Sequence, residues 1–184
     1  MSEIPILMAT CWLTAGNAAV MTDDERSPER FEDRVQAASN AGFSGYGILH
    51  ADLVGLRDTI GYSGIADVIR GNGIDVIELE MLIEWFAEGP ARSRSDMIRA
   101  DLLEAAEALG ARHIKLGGDY SPTPPPYEQM VAEMRVLARQ AADVGALLAF
   151  EPMPFSNVKT PSEGLRLIED VDRDNVGLLL DVWH

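Results

Sequence analysis

Three acidic side chains stand where short apolar runs end: Glu80 after Ile74–Leu79, Glu151 after Ala146–Phe150, and Asp181 after Val176–Leu180, with His184 three residues further on. His50 closes another such run, Tyr46–Leu49, and Lys115 lies inside Ile114–Leu116. Trp12 follows the opening run, Ile4–Ala9. Carboxylates, an ammonium and imidazole gathered at one mouth can exchange protons with a substrate or hold a cation through oxygen. Buried there, they must be compensated by a metal ion or by pairing with one another. Each also has a plainer reading. Glu80 serves equally as a helix cap or half of a salt bridge, and Lys115 reads as an ion-pair partner of Glu78 or Glu80 before it reads as a base. His50 divides between a satisfied core histidine and a site residue, and Trp12 and Trp85 between stacking walls and core. His113, which begins its run, reads as structural.

The elements that must place these residues follow from hydropathy and punctuation. Helix-period stretches end at Gly42, Gly73, Gly110 and Gly145, and an apolar run follows each of them. With the opening and closing runs this gives six candidate strands, their starts roughly 30 to 40 residues apart, the size of one βαβ unit. Helix starts are signalled at Ser27-Pro28, at Ser95-Asp96 and by the capping box Thr160-Pro161-Ser162-Glu163, while Tyr127–Val144 forms a further helix after the Pro-rich turn Ser121–Pro126. Alternation puts Glu78 and Glu80 on one face of their strand, Lys115 opposite Ile114 and Leu116, and Glu151 on the face of Ala149. Strands alternating with helices predict a parallel sheet with its functional groups at the carboxyl ends of the strands.

Composition narrows the function classes. The chain has 184 residues and a formal net charge of −15, which disfavours phosphate backbones and anionic membrane surfaces as partners. Its single cysteine, Cys11, permits neither an internal disulfide nor a thiolate zinc cluster, and the uncharged stretch Ile4–Thr22 is broken by Pro5, Gly16 and Asn17 and reads as strand and loop. A cytoplasmic protein acting on a small molecule is expected, without nucleic acid or membrane. The first strand leads into Ala9-Thr10-Cys11-Trp12-Leu13, which carries neither glycine pattern of a nucleotide-binding loop. A (β/α)₈ barrel is left as the expected fold. Such a barrel typically takes about 250 residues, so the chain is expected to be a single, C-terminally incomplete barrel domain over 1–184, holding about six of the eight βα units.

The strings LLAFEPMPF, ending its strand at Glu151, and GLLLDVWH, with Asp181 and His184 in an Asp-x-x-His spacing, resemble the xylose isomerase-like TIM barrel superfamily. That superfamily contains sugar isomerases and epimerases, inosose dehydratases and apurinic endonuclease IV. The resemblance implies that Glu151 and Asp181 ligate one divalent metal ion, Mn²⁺ in first place with Mg²⁺, Co²⁺ or Zn²⁺ as alternatives. It implies that His184 contacts substrate oxygens and that Glu151 is also the catalytic proton acceptor; from their places along the strands and at their ends, His50, Trp12, Glu80 and Lys115 are expected to join His184 in substrate binding. The family's remaining ligands, a His and a Glu, come from the seventh and eighth strands. The function so implied is a metal-dependent isomerase or epimerase of a sugar or keto-sugar, working by proton abstraction beside a carbonyl through a metal-stabilised enediolate. The alternatives are a dehydratase or lyase acting on an inosose or keto-glycoside by the same abstraction, and a non-catalytic barrel-derived binding subunit. The endonuclease branch conflicts with three histidines and the charge of −15. A small carbohydrate or polyol is the expected partner, and assembly into a homo-oligomer is left open.

Overall fold

Strands and helices alternate along the chain, as the spacing of the apolar runs requires. A computed structural model describes residues 6–121 and 125–181. The strands are β1 (Met8–Ala9), β2 (Gly45–Leu49), β3 (Val76–Leu82), β4 (His113–Gly117), β5 (Leu147–Glu151) and β6 (Val176–Leu178). They lie parallel in one sheet in the order β1-β2-β3-β4-β5-β6. The helices are α1 (Phe31–Asn40), α2 (His50–Thr59), α3 (Gly61–Gly71), α4 (Gly89–Leu109), α5 (Tyr127–Asp143) and α6 (Pro161–Val171). Six parallel strands with their crossover helices make a partial TIM barrel, with β1 and β6 at the two edges of the sheet. None of the described helices is long and apolar enough to cross a membrane.

Several element boundaries follow from single residues. All four glycines expected to stop helices take positive φ. At Gly110 the backbone sits at φ 64°, ψ 41°, a left-handed turn in which a Cβ is penalised, and its N–H closes α4 on the Ala106 carbonyl. The capping box of α6 is formed in full: Thr160 Oγ1 accepts from the Glu163 N–H at 3.2 Å, and Glu163 Oε2 accepts from the Thr160 N–H at 2.9 Å. Substituting Thr160 with alanine is expected to lower unfolding stability by about 1 kcal/mol, read as a fall in urea midpoint at constant slope; an unmoved midpoint would deny the cap any energetic role.

Other boundaries differ from the sequence expectation. Helix α1 begins at Phe31 and not at Ser27-Pro28, because Ser27 is drawn into the preceding loop. Its N–H donates to Asp52 Oδ1 at 2.9 Å and its hydroxyl to the Ala15 carbonyl at 3.2 Å. Helix α4 begins at Gly89, six residues before Ser95, with a proline in its first turn and the buried Ser95 hydroxyl bonded to the Ile83 carbonyl. The segment ending at Gly73 is two helices, parted at Gly61, where φ is +68°. Strand β1 is confined to Met8–Ala9 within the described residues, and β6 is shorter than Val176–Leu180, although Leu179 still donates to the Phe150 carbonyl.

The two faces of the sheet have opposite chemistry. Ile48, Ile77, Leu79, Ile114, Leu116, Leu148 and Phe150 belong to one apolar core with Leu53, Ile65, Leu102, Leu137 and Leu167 from the helices. The alternate residues point inward. There Gly47 pairs in register with Glu78, Glu78 with His113, and Lys115 with Ala149, which in turn faces Gly177. Small residues thus flank the charged ones. A Cβ on Gly47 would collide with Glu80 Oε1, so this strand position is kept empty for a neighbouring carboxylate. Strand β3 also carries one residue more than β4 between its pairs Leu79↔Ile114 and Leu82↔Leu116, a bulge that re-aims the chain just past Glu80.

Candidate functional site

The inner face gathers Glu80 from β3, Lys115 from β4 and Glu151 from β5 into a single buried group. Lys115 Nζ lies 3.1 Å from Glu80 Oε2 and 3.0 Å from Glu151 Oε2, so one ammonium bridges two carboxylates on flanking strands. The second oxygen of Glu80 accepts the backbone N–H of Cys11 at 2.8 Å. Glu80 is therefore gripped at both ends, by a peptide donor just beyond β1 and by the ammonium, and it fixes Lys115 in turn. Below this trio, His113 Nε2 lies 2.6 Å from Glu78 Oε2, and both residues are buried. Three buried carboxylates share a single ammonium here, and the third of them, Glu78, is hydrogen-bonded to an imidazole.

That shortage of positive charge shapes the protonation of the group. Burial pushes the Glu80 carboxyl up to about 7; Lys115 pulls the other way, and Glu78 reinforces the rise. Burial alone would drive Lys115 below the usual lysine range, but Glu80, Glu151 and Glu78 outweigh it and hold the ammonium charged. Between pH 4.5 and about 7 the folded chain keeps a proton on Glu80 that the unfolded chain has released. Stability from this group is therefore full below 4.5 and lost as pH rises through 7. The unfolding free energy of the wild-type chain is expected to carry a negative slope there of up to about 1.4 kcal/mol per pH unit from Glu80, and Glu80→Gln is expected to remove it. Equal slopes in the two proteins, followed by urea titrations across that range, would refute the assignment.

The expected site residues do not all converge. Glu151 ends β5 inside the buried group, and Asp181 lies three residues past β6, at the carboxyl end of the neighbouring strand. Trp12 sits half-buried in a 3₁₀ turn, Cys11–Thr14, directly after β1. Glu80 and Lys115, expected to touch substrate, are engaged with each other, and Lys115 also with Glu151. His50, expected at the mouth, starts α2 and binds Asp101 Oδ2 of α4 at 2.8 Å, with Arg57 on the other oxygen. Its ring therefore ties two outer helices together and does not join the carboxylates. Trp85 is core, its Nε1 donating to the Gly117 carbonyl. His184 lies outside the described residues.

Two features escape a local reading of the sequence. One is the Cys11 amide as an anchor for Glu80, for which the glycine at position 47 opposite an acidic strand is the only sequence trace. The other is the buried pair of Arg34 Nη1 on α1 and Asp52 Oδ2 on α2, 2.6 Å apart, which ties the two helices together. A concavity of about 420 Å³ opens over that pair, lined also by Phe31, Leu56 and Thr59. The carboxylates of β3 and β5 do not line it.

The donor chemistry can be set against a divalent ion. Glu151 and Asp181 supply carboxylate oxygens of the kind that hard cations take, and the inner face carries excess negative charge for such an ion to offset. Among the described residues no three His, Cys, Asp or Glu side chains are gathered closely enough to hold one. Glu151 and Asp181 thus match a hard ion in donor type.

A sequence model described as xylose isomerase-like TIM barrel matches residues 35–184. The chain belongs to this family. Curated protein sequences give no match. Among solved structures, the xylose isomerase-like barrel resembles D-psicose 3-epimerase from Clostridium cellulolyticum H10 with D-tagatose, at TM-score 0.67 and 22% identity over 82% of this chain and 57% of that one. It also resembles the probable 3-DHS dehydratase AsbF of Bacillus anthracis, at TM-score 0.74 and 14% identity over 95% and 62%. A xylose isomerase-like TIM barrel protein from Mycobacterium smegmatis in complex with magnesium aligns at TM-score 0.69 and 19% identity over 97% and 64%. The chain thus spans less than two thirds of each of these three proteins.

Proposed function

We propose that the chain forms the larger part of a divalent-metal-dependent isomerase or epimerase of sugars or keto-sugars, with Glu151 as the group that takes the proton beside the substrate carbonyl. The observation that supports this most directly is the placement of Glu151. It is buried at the carboxyl end of β5 and pinned through Oε2 by an ammonium that Glu80 pins in turn. A base held this way needs no reorientation when a C–H bond comes into reach, which is where positioning contributes to rate. Its location on a strand end, and not on a loop, adds rigidity.

Glu151 and Asp181 would hold the metal ion, Mn²⁺ by preference, which when bound would polarise the carbonyl next to the acidic carbon. Lys115 orients Glu151 through Oε2, Glu80 holds Lys115, and the Cys11 amide holds Glu80. A small carbohydrate or polyol is the substrate class. The similarity to a dehydratase as well as an epimerase supports a second outcome from the same first step. A carbanion generated beside a carbonyl is either reprotonated or expels a β-hydroxyl.

The test is to incubate the protein, extended through its remaining barrel strands, with Mn²⁺ and a panel of ketoses, inososes and keto-glycosides in deuterium oxide. Deuterium at carbon in recovered sugar supports isomerisation or epimerisation, and an unsaturated product supports elimination. Binding of sugars with neither outcome would overturn the enzymatic reading in favour of a binding subunit.

A further inference from the structure

The loops leaving β4 and β5 are locked to each other. Asn157 Oδ1 accepts from the Asp119 N–H at 2.8 Å, and the Asn157 N–H donates to the Asp119 carbonyl at 2.9 Å. The Met153 N–H closes the second loop on the Val158 carbonyl at 3.1 Å, and the buried Ser156 hydroxyl lies 3.0 Å and 2.8 Å from the Met153 and Val158 carbonyls. A Cβ on Gly118 would press into both Asn157 and Ser156, so the two loops touch without a gap. This frame is as well bonded as a strand pair, although it is made of loop.

What the frame presents is aromatic. Tyr120 and Phe155 stand together with ring centroids 5.8 Å apart and planes 39° from parallel. Phe155 is 61% exposed and Tyr120 37% exposed, while Glu151, four residues before Phe155, is 2% exposed. Tyr120 lies three residues beyond Gly117, which pairs in register with Glu151, and its hydroxyl lies 4.0 Å from Sδ of Met153, two residues beyond Glu151. The ring pair therefore adjoins the candidate base yet stands outward of it, toward solvent. A ligand whose reacting carbon meets Glu151 would occupy the buried side, and whatever that sugar carries would pass the rings. Rigid loops that hold apolar rings in water beside a polar centre are characteristic of ligand contact.

We propose that Tyr120 and Phe155 form a stacking wall for a second ring joined to the reacting sugar, so that the substrate class is a glycoside and not a free monosaccharide. The inference rests on Glu151 being the reacting group. The ring shows the wall a flat apolar face, which either an aromatic aglycone or the C–H face of a second sugar supplies.

Calorimetric titration of the protein with phenyl β-D-glucoside, cellobiose and methyl β-D-glucoside tests the wall without any turnover. One or both ring-bearing probes are expected to bind about tenfold more tightly than the methyl glucoside, and the better of the two identifies the kind of ring. Phe155→Ser and Tyr120→Ser are expected to erase that advantage. Phe155→Leu, which keeps an apolar side chain of ordinary size without a ring, is expected to erase most of it while the fold stays intact. Equal affinity for all three probes, absence of binding, or an advantage that survives in the variants would overturn the proposal. The reading of Glu151 fails separately, when Glu151→Gln leaves deuterium incorporation at carbon in a keto-glycoside unchanged.

Discussion

Replacing Lys115 with methionine is expected to destabilise the fold by about 3–5 kcal/mol, the largest loss foreseen for any single substitution on the inner face. The ammonium is the shared partner of Glu80 and Glu151, and all three are buried. Methionine fills the volume but leaves two carboxylates facing each other across an apolar side chain. Removing one partner of a buried pair costs far more than the pair contributes, because the stranded charge has lost its water as well. Glu80, already pushed up to about 7, would then take up a proton more readily, so the loss is expected to shrink in acid and to be greatest above neutral pH. The double variant with Glu80→Gln is expected to regain part of the stability at pH 8, and the two changes should therefore fail to add. Urea denaturation at pH 5 and pH 8 measures both effects. A cost below about 1 kcal/mol at pH 8, the level of a surface pair, would mean that water reaches the group.

Glu151→Gln is expected to slow proton exchange at carbon by about 10²- to 10⁴-fold in the complete enzyme, the range associated with loss of a positioned general base. The amide keeps the shape of the side chain and an oxygen that accepts from Lys115, so the fold is expected to persist. What it lacks is the basic oxygen. It is also a weaker ligand for a hard cation, and Mn²⁺ affinity, measured by calorimetry, is expected to fall with it. Deuterium incorporation under saturating Mn²⁺ separates the two roles. Exchange restored by excess metal would assign Glu151 to metal binding alone, and unchanged exchange and affinity would remove it from the site.

Much of this arrangement is legible in the sequence because it is local. Period-two alternation places Glu78, Glu80, Lys115 and Glu151 on one face, and glycine punctuation and the Thr160–Glu163 cap mark helix ends, since each depends on residues within one turn or one strand. What escapes is what depends on register. Nothing near Lys115 reveals that it is shared with Glu151 of the next strand, or that Glu78 turns to His113 instead. His50 is legible as the residue that follows a strand end, but its partner Asp101, 51 positions away, is not. Ser27-Pro28 has the chemistry of a helix start, but Asp52 takes its N–H and the helix waits until Phe31. Such pairings are decided when elements pack, and a single strand or helix carries no record of them.

The vacancy at Gly47 has a consequence for how this barrel can change over generations. Because Glu80 Oε1 lies where a Cβ at position 47 would be, a side chain at 47 requires Glu80 to move or shorten. A lineage that acquires alanine at 47 must already have shortened or moved the side chain at 80, and with it given up the grip on Lys115. An ordering is thus imposed on drift. The carboxylate can be lost first and the glycine afterwards, whereas the reverse path displaces Glu80 from Lys115 and the Cys11 amide.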